Sequence, residues 1–313
     1  VSSNETEFPP PAPVLYVTDL GYEQYEPADL FDLAYLLRSP RHHLTGICLT
    51  SEESDALRVT DALQVRARKD VPVVEGMEGF RALLEGAPEP LNVVVVGGYG
   101  VVAEALAQDR ALFRAKVARL FLVGGYVNDY AATPFTQRLP IDPRLRDRNT
   151  ERFSALGEAR LQAEGEQSAF GKLLTSGEGV IWLPRDICLW RYAAPGMLVD
   201  AGEVAEFLLR ELFYAHLTAG KTPDRYDAAD APVLLSALPA LLLAVQPDPF
   251  AWMRLFRAIT ARVEVGEDGV VTTFATNTDS PNLYAVVAID SQALSKLLTA
   301  TLRERPLPTS PAS

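Results

Sequence analysis

The sequence predicts an α/β fold, an open, mostly parallel, Rossmann-like central sheet with helices on both faces. Three observations predict it. Short β-branched runs alternate with longer segments of helical period along most of the chain. Most of these runs are apolar throughout, as strands covered on both faces must be. With 313 residues and 48% hydrophobic composition, the chain can bury the core of one large α/β domain.

The strands are expected, in order, at Val14–Asp19, Leu44–Thr50, Val71–Val74, Asn92–Val96, Leu120–Val123 and Val180–Leu183. Between them, helices are expected at Asp29–Leu37, at Glu52–Arg68 behind a Thr50-x-x-Glu53 capping box, and at Val101–Gln108. An Ala- and Leu-rich helix is expected from Asp230 to Ala244. Ile259–Val265 and Val270–Ala275, joined by Gly266-Glu267-Asp268-Gly269, read as a β-hairpin. Leu283–Ile289 and a helix from Ser291 close the order. Residues 1–13 are a Pro-rich extension, 14–304 one domain and 305–313 a tail, because proline-dense ends cannot pack regularly. Tyr126 to Gln167 is long, polar and rich in Arg, Asp and Pro, which reads as either a loop over the site or a partly mobile segment.

The formal net charge of -12 argues against nucleic acid and anionic membrane surfaces as partners, and favours a small neutral ligand or a cation. No run reaches the roughly eighteen apolar residues of a membrane span. Cys48 and Cys188 sit in apolar runs without CxxC spacing, so both are expected as buried thiols of a cytoplasmic protein. His42 and His43, at the start of the second strand, are expected at the surface, and His216 on a helix.

Ligands of an open parallel sheet bind beyond the carboxyl ends of its strands. There the chain places Thr18-Asp19-Leu20-Gly21 after the first strand, Asp29 at the next helix start, and Asp230 at a late helix start before Ala231-Pro232. An acid at a helix start is ordinarily a cap. Three converging carboxylates, however, need a cation to stay ionised together, and all-oxygen ligands point to calcium. Gly98-x-Gly100-x-x-Ala103 also has the local form of a dinucleotide-binding turn. It follows the fourth apolar run rather than the first, and Gly124-Gly125 end the next strand where an acid is needed.

These residues resemble the inosine-uridine-preferring nucleoside hydrolases. Val17-Thr18-Asp19-Leu20-Gly21 and Pro27-Ala28-Asp29 are similar to the two parts of that family's amino-terminal Asp-rich signature, and the likeness continues through Ser39-Pro40 to Leu44-Thr45-Gly46-Ile47. Val93 to Gly98, Leu122-Val123-Gly124-Gly125, Trp182-Leu183-Pro184-Arg185-Asp186-Ile187 and Ala229-Asp230-Ala231-Pro232 resemble later motifs in the family's order, so the likeness spans Val14 to Leu302. The resemblance implies a calcium shell of Asp19, Asp29, Asp230 and the Val96 carbonyl, with Asp19 also the general base. It further implies ribose binding by Asn128 and by Asp147 and Asn149, with Glu158 competing for the latter place and Asp227 for that of Asp230. Homo-oligomers are common in the family.

The departures fall on the same motifs. Val17 stands where the signature has its first Asp, Ala28 where a carboxylate holds ribose hydroxyls, and Ala229 where a His helps protonate the base. The expected activity is hydrolysis of the N-glycosidic bond of a ribonucleoside or related ribosyl compound. Alternatives are a non-catalytic nucleoside- or ribose-binding protein of the same fold and an NAD-linked oxidoreductase. Tyr126, Tyr226 and Tyr99 are candidate replacements for the missing acid, each also readable as a packing residue with its hydroxyl satisfied.

Overall fold

The computed structural model describes residues 13–20, 28–50, 54–125, 166–177, 179–188, 190–218, 233–245, 252–266, 271–276, 279 and 281–303. The first half runs β1 (Pro13–Thr18), α1 (Ala28–Arg38), β2 (His43–Leu49), α2 (Ser54–Ala67), β3 (Val73–Glu75), α3 (Gly76–Gly86), β4 (Leu91–Val95), α4 (Tyr99–Gln108), α5 (Arg110–Lys116) and β5 (Val117–Val123). It continues through α6 (Glu166–Leu174), β6 (Val180–Leu183), α7 (Arg185–Cys188), β7 (Trp190–Tyr192), α8 (Ala194–Leu198), α9 (Glu203–Thr218), β8 (Val233–Leu235) and α10 (Leu238–Val245). A hairpin of β9 (Phe256–Val265) and β10 (Val271–Thr276) precedes β11 (Leu283–Ile289) and α11 (Ser291–Leu302). The predicted extension and tail lie outside the described residues, apart from Pro13, which opens β1.

Among the described residues one sheet has nine strands in the order β10-β9-β11-β6-β5-β4-β1-β2-β3. Pairing is parallel from β3 across to β11, and antiparallel where β9 joins β11 and β10. Helices cover both faces, as expected. Strand order turns back between β1 and β4, so their carboxyl ends flank the crevice where such sheets take ligands. The central strands are buried along their length, β4 at every residue, which explains why they read as unbroken apolar runs. α1 is buried all round from Leu30 to Leu37, touching α2, α9, α11 and β8.

Two expectations are corrected. The helix expected from Asp230 to Ala244 begins only at Leu238, and Val233–Leu235 instead pair antiparallel with Trp190–Tyr192. Pro239 is the reason: inside a longer helix it would remove a backbone hydrogen bond and clash with the carbonyl four residues earlier, but in the first turn it fits. His42, expected at the surface, is buried, whereas His43 is exposed. The sequence reading also missed α3, whose Gly76, Gly79 and Gly86 hide an amphipathic helix that buries Phe80 and Leu84. Cys48 and Cys188 are buried thiols, as expected.

His42 joins two layers. Its Nε2 donates to the carbonyl of Leu241 in α10 at 2.8 Å, which leaves Nδ1 to accept from the Ser39 hydroxyl at 2.8 Å. Asn92 of β4 makes a parallel contact, its Nδ2 donating to the Ala244 carbonyl at 2.6 Å. The two side chains satisfy carbonyls near the end of a helix that is otherwise wholly apolar, in a layer closed to water. Burial pushes the His42 pKa down to about 4, with Arg41 acting in the same direction and the Leu241 bond opposing.

That shift has a definite sign. The unfolded chain takes up a proton on His42 below about pH 6.5, while the folded chain does not until the lower value is reached. Its contribution is therefore fully present above pH 6.5 and is lost as pH falls through the window down to the folded value. The loss should be about 2 kcal/mol by pH 5. Melting curves of the parent and His42→Gln at pH 7.5 and pH 5 should show a clearly smaller acid-induced drop for the variant. Equal drops would mean that His42 does not carry this term.

Candidate active site

β1 ends in Thr18, which is fully buried and ties three elements together. Its hydroxyl donates to Asp29 Oδ2 at the start of α1 at 2.7 Å, and accepts from the Leu20 N–H at 3.2 Å. Its carbonyl accepts from the Thr50 N–H at 3.0 Å and the Thr50 hydroxyl at 3.2 Å, tying the end of β1 to the end of β2. The Thr50 hydroxyl is thus committed to β1, and the rest of its predicted capping box lies outside the described residues. On the other side, the Val96 N–H donates to the Val17 carbonyl at 3.0 Å, holding the end of β4 beside β1.

The acids gather at this junction. Asp19 lies just past β1, and a Cβ placed on Gly97 would come within 2.1 Å of its Oδ1. Gly98 has φ +66, and a Cβ there would meet the Thr50 hydroxyl oxygen at 2.0 Å. Two consecutive residues without side chains are therefore what lets the exit of β4 lie against those of β1 and β2. Tyr16, buried on β1, has its phenol pushed well above the ordinary range by burial first, then by Asp29, Asp32 and Asp19. These carboxylates thus share one neighbourhood.

Asp32, which the sequence reading passed over, is 3% exposed one helical turn beyond Asp29. Burial, then the charge of Asp29, raises its carboxyl well above the ordinary range. The signal was present as a lone acid inside an otherwise apolar helix. Tyr99, a candidate acid that also reads as a packing residue with its hydroxyl satisfied, is buried. Its hydroxyl donates to the Val123 carbonyl, and burial and then Asp19 raise its pKa, with Arg185 opposing and Glu166 and Asp29 adding to the rise. That commitment removes Tyr99 as a proton donor to a leaving group.

The end of β5 forms the adjoining wall. Gly124 and Gly125 have φ of +152 and +64, and Cβ atoms there would meet the Tyr99 hydroxyl at 2.1 Å and Phe170 Cε1 at 2.8 Å. Their carbonyls accept from Trp182 Nε1 at 2.7 Å and the Arg185 N–H at 2.9 Å. The rings of Tyr99, Phe170, Trp182 and Phe274 follow one another edge to face, from this wall to the hairpin.

Of the predicted site residues, Asp19 follows β1 and lies against Gly97, Asp29 is bonded to Thr18 at the end of β1, and Val96 follows β4 and is bonded to Val17. Asp230, Asn128, Asp147 and Asn149 lie outside the described residues, as do Glu158, Asp227, Tyr126, Tyr226 and Ala229. Among the described residues, no group of three or more His, Cys, Asp or Glu is placed to hold a metal. Asp19 and Asp29 bring carboxylate oxygens to this junction, hard donors of the kind that suits calcium rather than a softer metal. The dinucleotide reading fails here, because the Gly100 N–H at the amino end of α4 donates to Glu166 Oε1 at 2.9 Å. A carboxylate holds the place a pyrophosphate needs. Val17 and Ala28 are buried apolar residues, so neither supplies the oxygen that the resemblance expects there.

Substituting Gly97 tests this packing. Gly97→Ala should push the Asp19 carboxylate aside at a cost of about 1 kcal/mol, which lowers the melting temperature by about 2 °C. Gly86→Ala, where a Cβ meets nothing within 4 Å, should leave it unchanged or higher. Equal melting temperatures for the two variants would contradict the close approach of Asp19.

No family model and no curated protein matches the chain. Solved structures do. An inosine-guanosine nucleoside hydrolase aligns at TM-score 0.62 and 13% identity, covering 93% of this chain and 98% of the other. A plant nucleoside hydrolase, PpNRh1, aligns at TM-score 0.59 and 14% identity, covering 95% and 100%. The type III effector protein XopQ, solved with adenosine diphosphate ribose, aligns at TM-score 0.50 and 17% identity, covering 94% and 93%. Such identities speak for architecture, and over nearly its whole length this chain has the nucleoside hydrolase fold.

Proposed function

We propose that this chain is a calcium-dependent hydrolase of the N-glycosidic bond of ribosides. The observation that carries the reading is Asp19, held against Gly97 at the point where strand order turns back and beside Asp29. When bound there, calcium supplies a positive charge that makes an adjacent water more acidic and attracts the ribose diol. Asp19, Asp29 and the Val96 carbonyl would hold the ion, with Asp230 as a further ligand.

Asp19 has the chemistry of a general base. A carboxylate has two oxygens, and one can face a cation while the other accepts a proton from water. The water oxygen then bonds to the anomeric carbon as the bond from that carbon to the base nitrogen breaks, through a transition state with a ribosyl cation character. The departing base keeps the electron pair and needs a proton. No described residue is poised to deliver it: Tyr99 is committed to Val123, and His42 is locked between Ser39 and Leu241. Leaving groups that depart without protonation should therefore suit the site best.

A second reading is a protein that binds a riboside without cleaving it. Buried Val17 and Ala28, where carboxylates are expected, favour it. The XopQ complex is an instance of the fold holding a ribosyl ligand.

One set of kinetics separates these readings. A 4-nitrophenyl riboside should be hydrolysed with a higher kcat/KM than inosine, and Asp19→Asn should lower the rate by about a hundred- to ten-thousand-fold. An Asn variant as active as the parent would remove Asp19 from the mechanism. Binding of inosine with no release of ribose from either compound would favour the second reading.

A further inference from the structure

Tyr16 lies in the middle of β1 and is fully buried, and among the described residues its hydroxyl has no hydrogen-bond partner. A phenylalanine would fill the same volume without leaving a polar group unsatisfied, so this hydroxyl is costly unless some state of the protein uses it. Its surroundings limit what that use can be. In register beside it stand Ile47 of β2 and Val94 of β4, both buried and apolar, on the same face of the sheet. Thr18, two residues on and therefore on that face too, gives its only hydroxyl proton to Asp29.

The carboxylates that bear on Tyr16 come from α1 and from the end of β1. Asp29 lies in the first turn of that helix, and Asp32 is buried one turn further along. After burial itself, the influences that hold the phenol protonated are the charges of Asp29, then Asp32, then Asp19. Thr18 already donates to Asp29 Oδ2 at 2.7 Å, and Tyr16 carries a second donor on the same face of the same strand. A ligand carboxylate braced by hydrogen bonds from its surroundings grips a cation more tightly, because its oxygens are oriented before the ion arrives.

We propose that Tyr16 is a positioning residue of the cation site: when the crevice holds calcium, the Tyr16 hydroxyl donates to the Asp29 carboxylate and braces it together with Thr18. This rests on the calcium reading above. Calorimetric titration of calcium into chelator-treated parent, Tyr16→Phe, Asp29→Asn and the double variant tests it, with melting curves of the chelated proteins alongside. Without calcium, Tyr16→Phe should melt at the parent temperature or about 2 °C higher, since it removes an unsatisfied buried group, yet it should bind calcium about tenfold or more weakly. In the Asp29→Asn background the same substitution should cost little further affinity, because the group it acts through is already altered. Tyr35→Phe removes another buried hydroxyl, one influenced by Ser39 and Arg41 rather than by these acids, and should leave the affinity unchanged. A merely structural hydroxyl would instead lower the melting temperature on removal and leave calcium affinity alone, and that result overturns the assignment of Tyr16. So does an equal loss of affinity in both backgrounds. If the parent binds no calcium, the calcium reading falls and the assignment falls with it, whereas a parent that binds calcium no better than Tyr16→Phe refutes the assignment of Tyr16 alone.

Discussion

The site depends on one close approach, that of the end of β4 to the end of β1. Backbone bonds from Val96 to Val17 and from Thr50 to Thr18 bring three strand exits into a narrow space. Side chains on residues 97 and 98 would collide there with Asp19 and Thr50. Because both positions are glycine, Asp19 can stand at the crevice with its carboxylate against backbone, and Thr18 can reach across to fix Asp29. The fold sets the direction of these groups, and the glycines set their distance.

The frame behind the site is built to resist rearrangement. α1 and α10 are buried almost all round, and interior helices of this kind leave few polar groups to satisfy. Several that remain are answered by specific partners: His42 and Asn92 reach carbonyls of α10, and Gln64 exchanges bonds with Val71 at 2.6 and 3.2 Å. Rigid elements hold catalytic groups more accurately than loops do. Asp32, an acid in the apolar interior of α1, has its carboxyl raised well above the ordinary range by burial and then by Asp29.

Much of this was legible in the sequence, for physical reasons. Strands covered on both faces must be apolar along their length, so β1, β4, β5 and β6 stood out within a few residues of their ends. Asp19 was legible because it follows such a run directly. Glu166 was not, since it meets α4 through a backbone N–H 66 residues away, a contact with no local pattern. His42 was misread because it is flanked by polar neighbours, and only the fold brings Leu241 over it. The start of α10 was legible in Pro239, but the apolar residues before it have the period of a helix and the partner of a strand. The departures at Val17 and Ala28 were plain in the sequence, and their burial shows that apolar packing has taken over both positions.

The central claim is that Asp19 and Asp29 form the acid pair of a cation site at this crevice. Its most direct test is calorimetric titration of calcium into chelator-treated protein at neutral pH, with Asp29→Asn alongside. One calcium ion should bind per chain, and the Asn variant should bind it about tenfold or more weakly, as loss of a ligand oxygen requires. Absence of calcium binding in a protein that still hydrolyses ribosides in the presence of chelator would contradict the account.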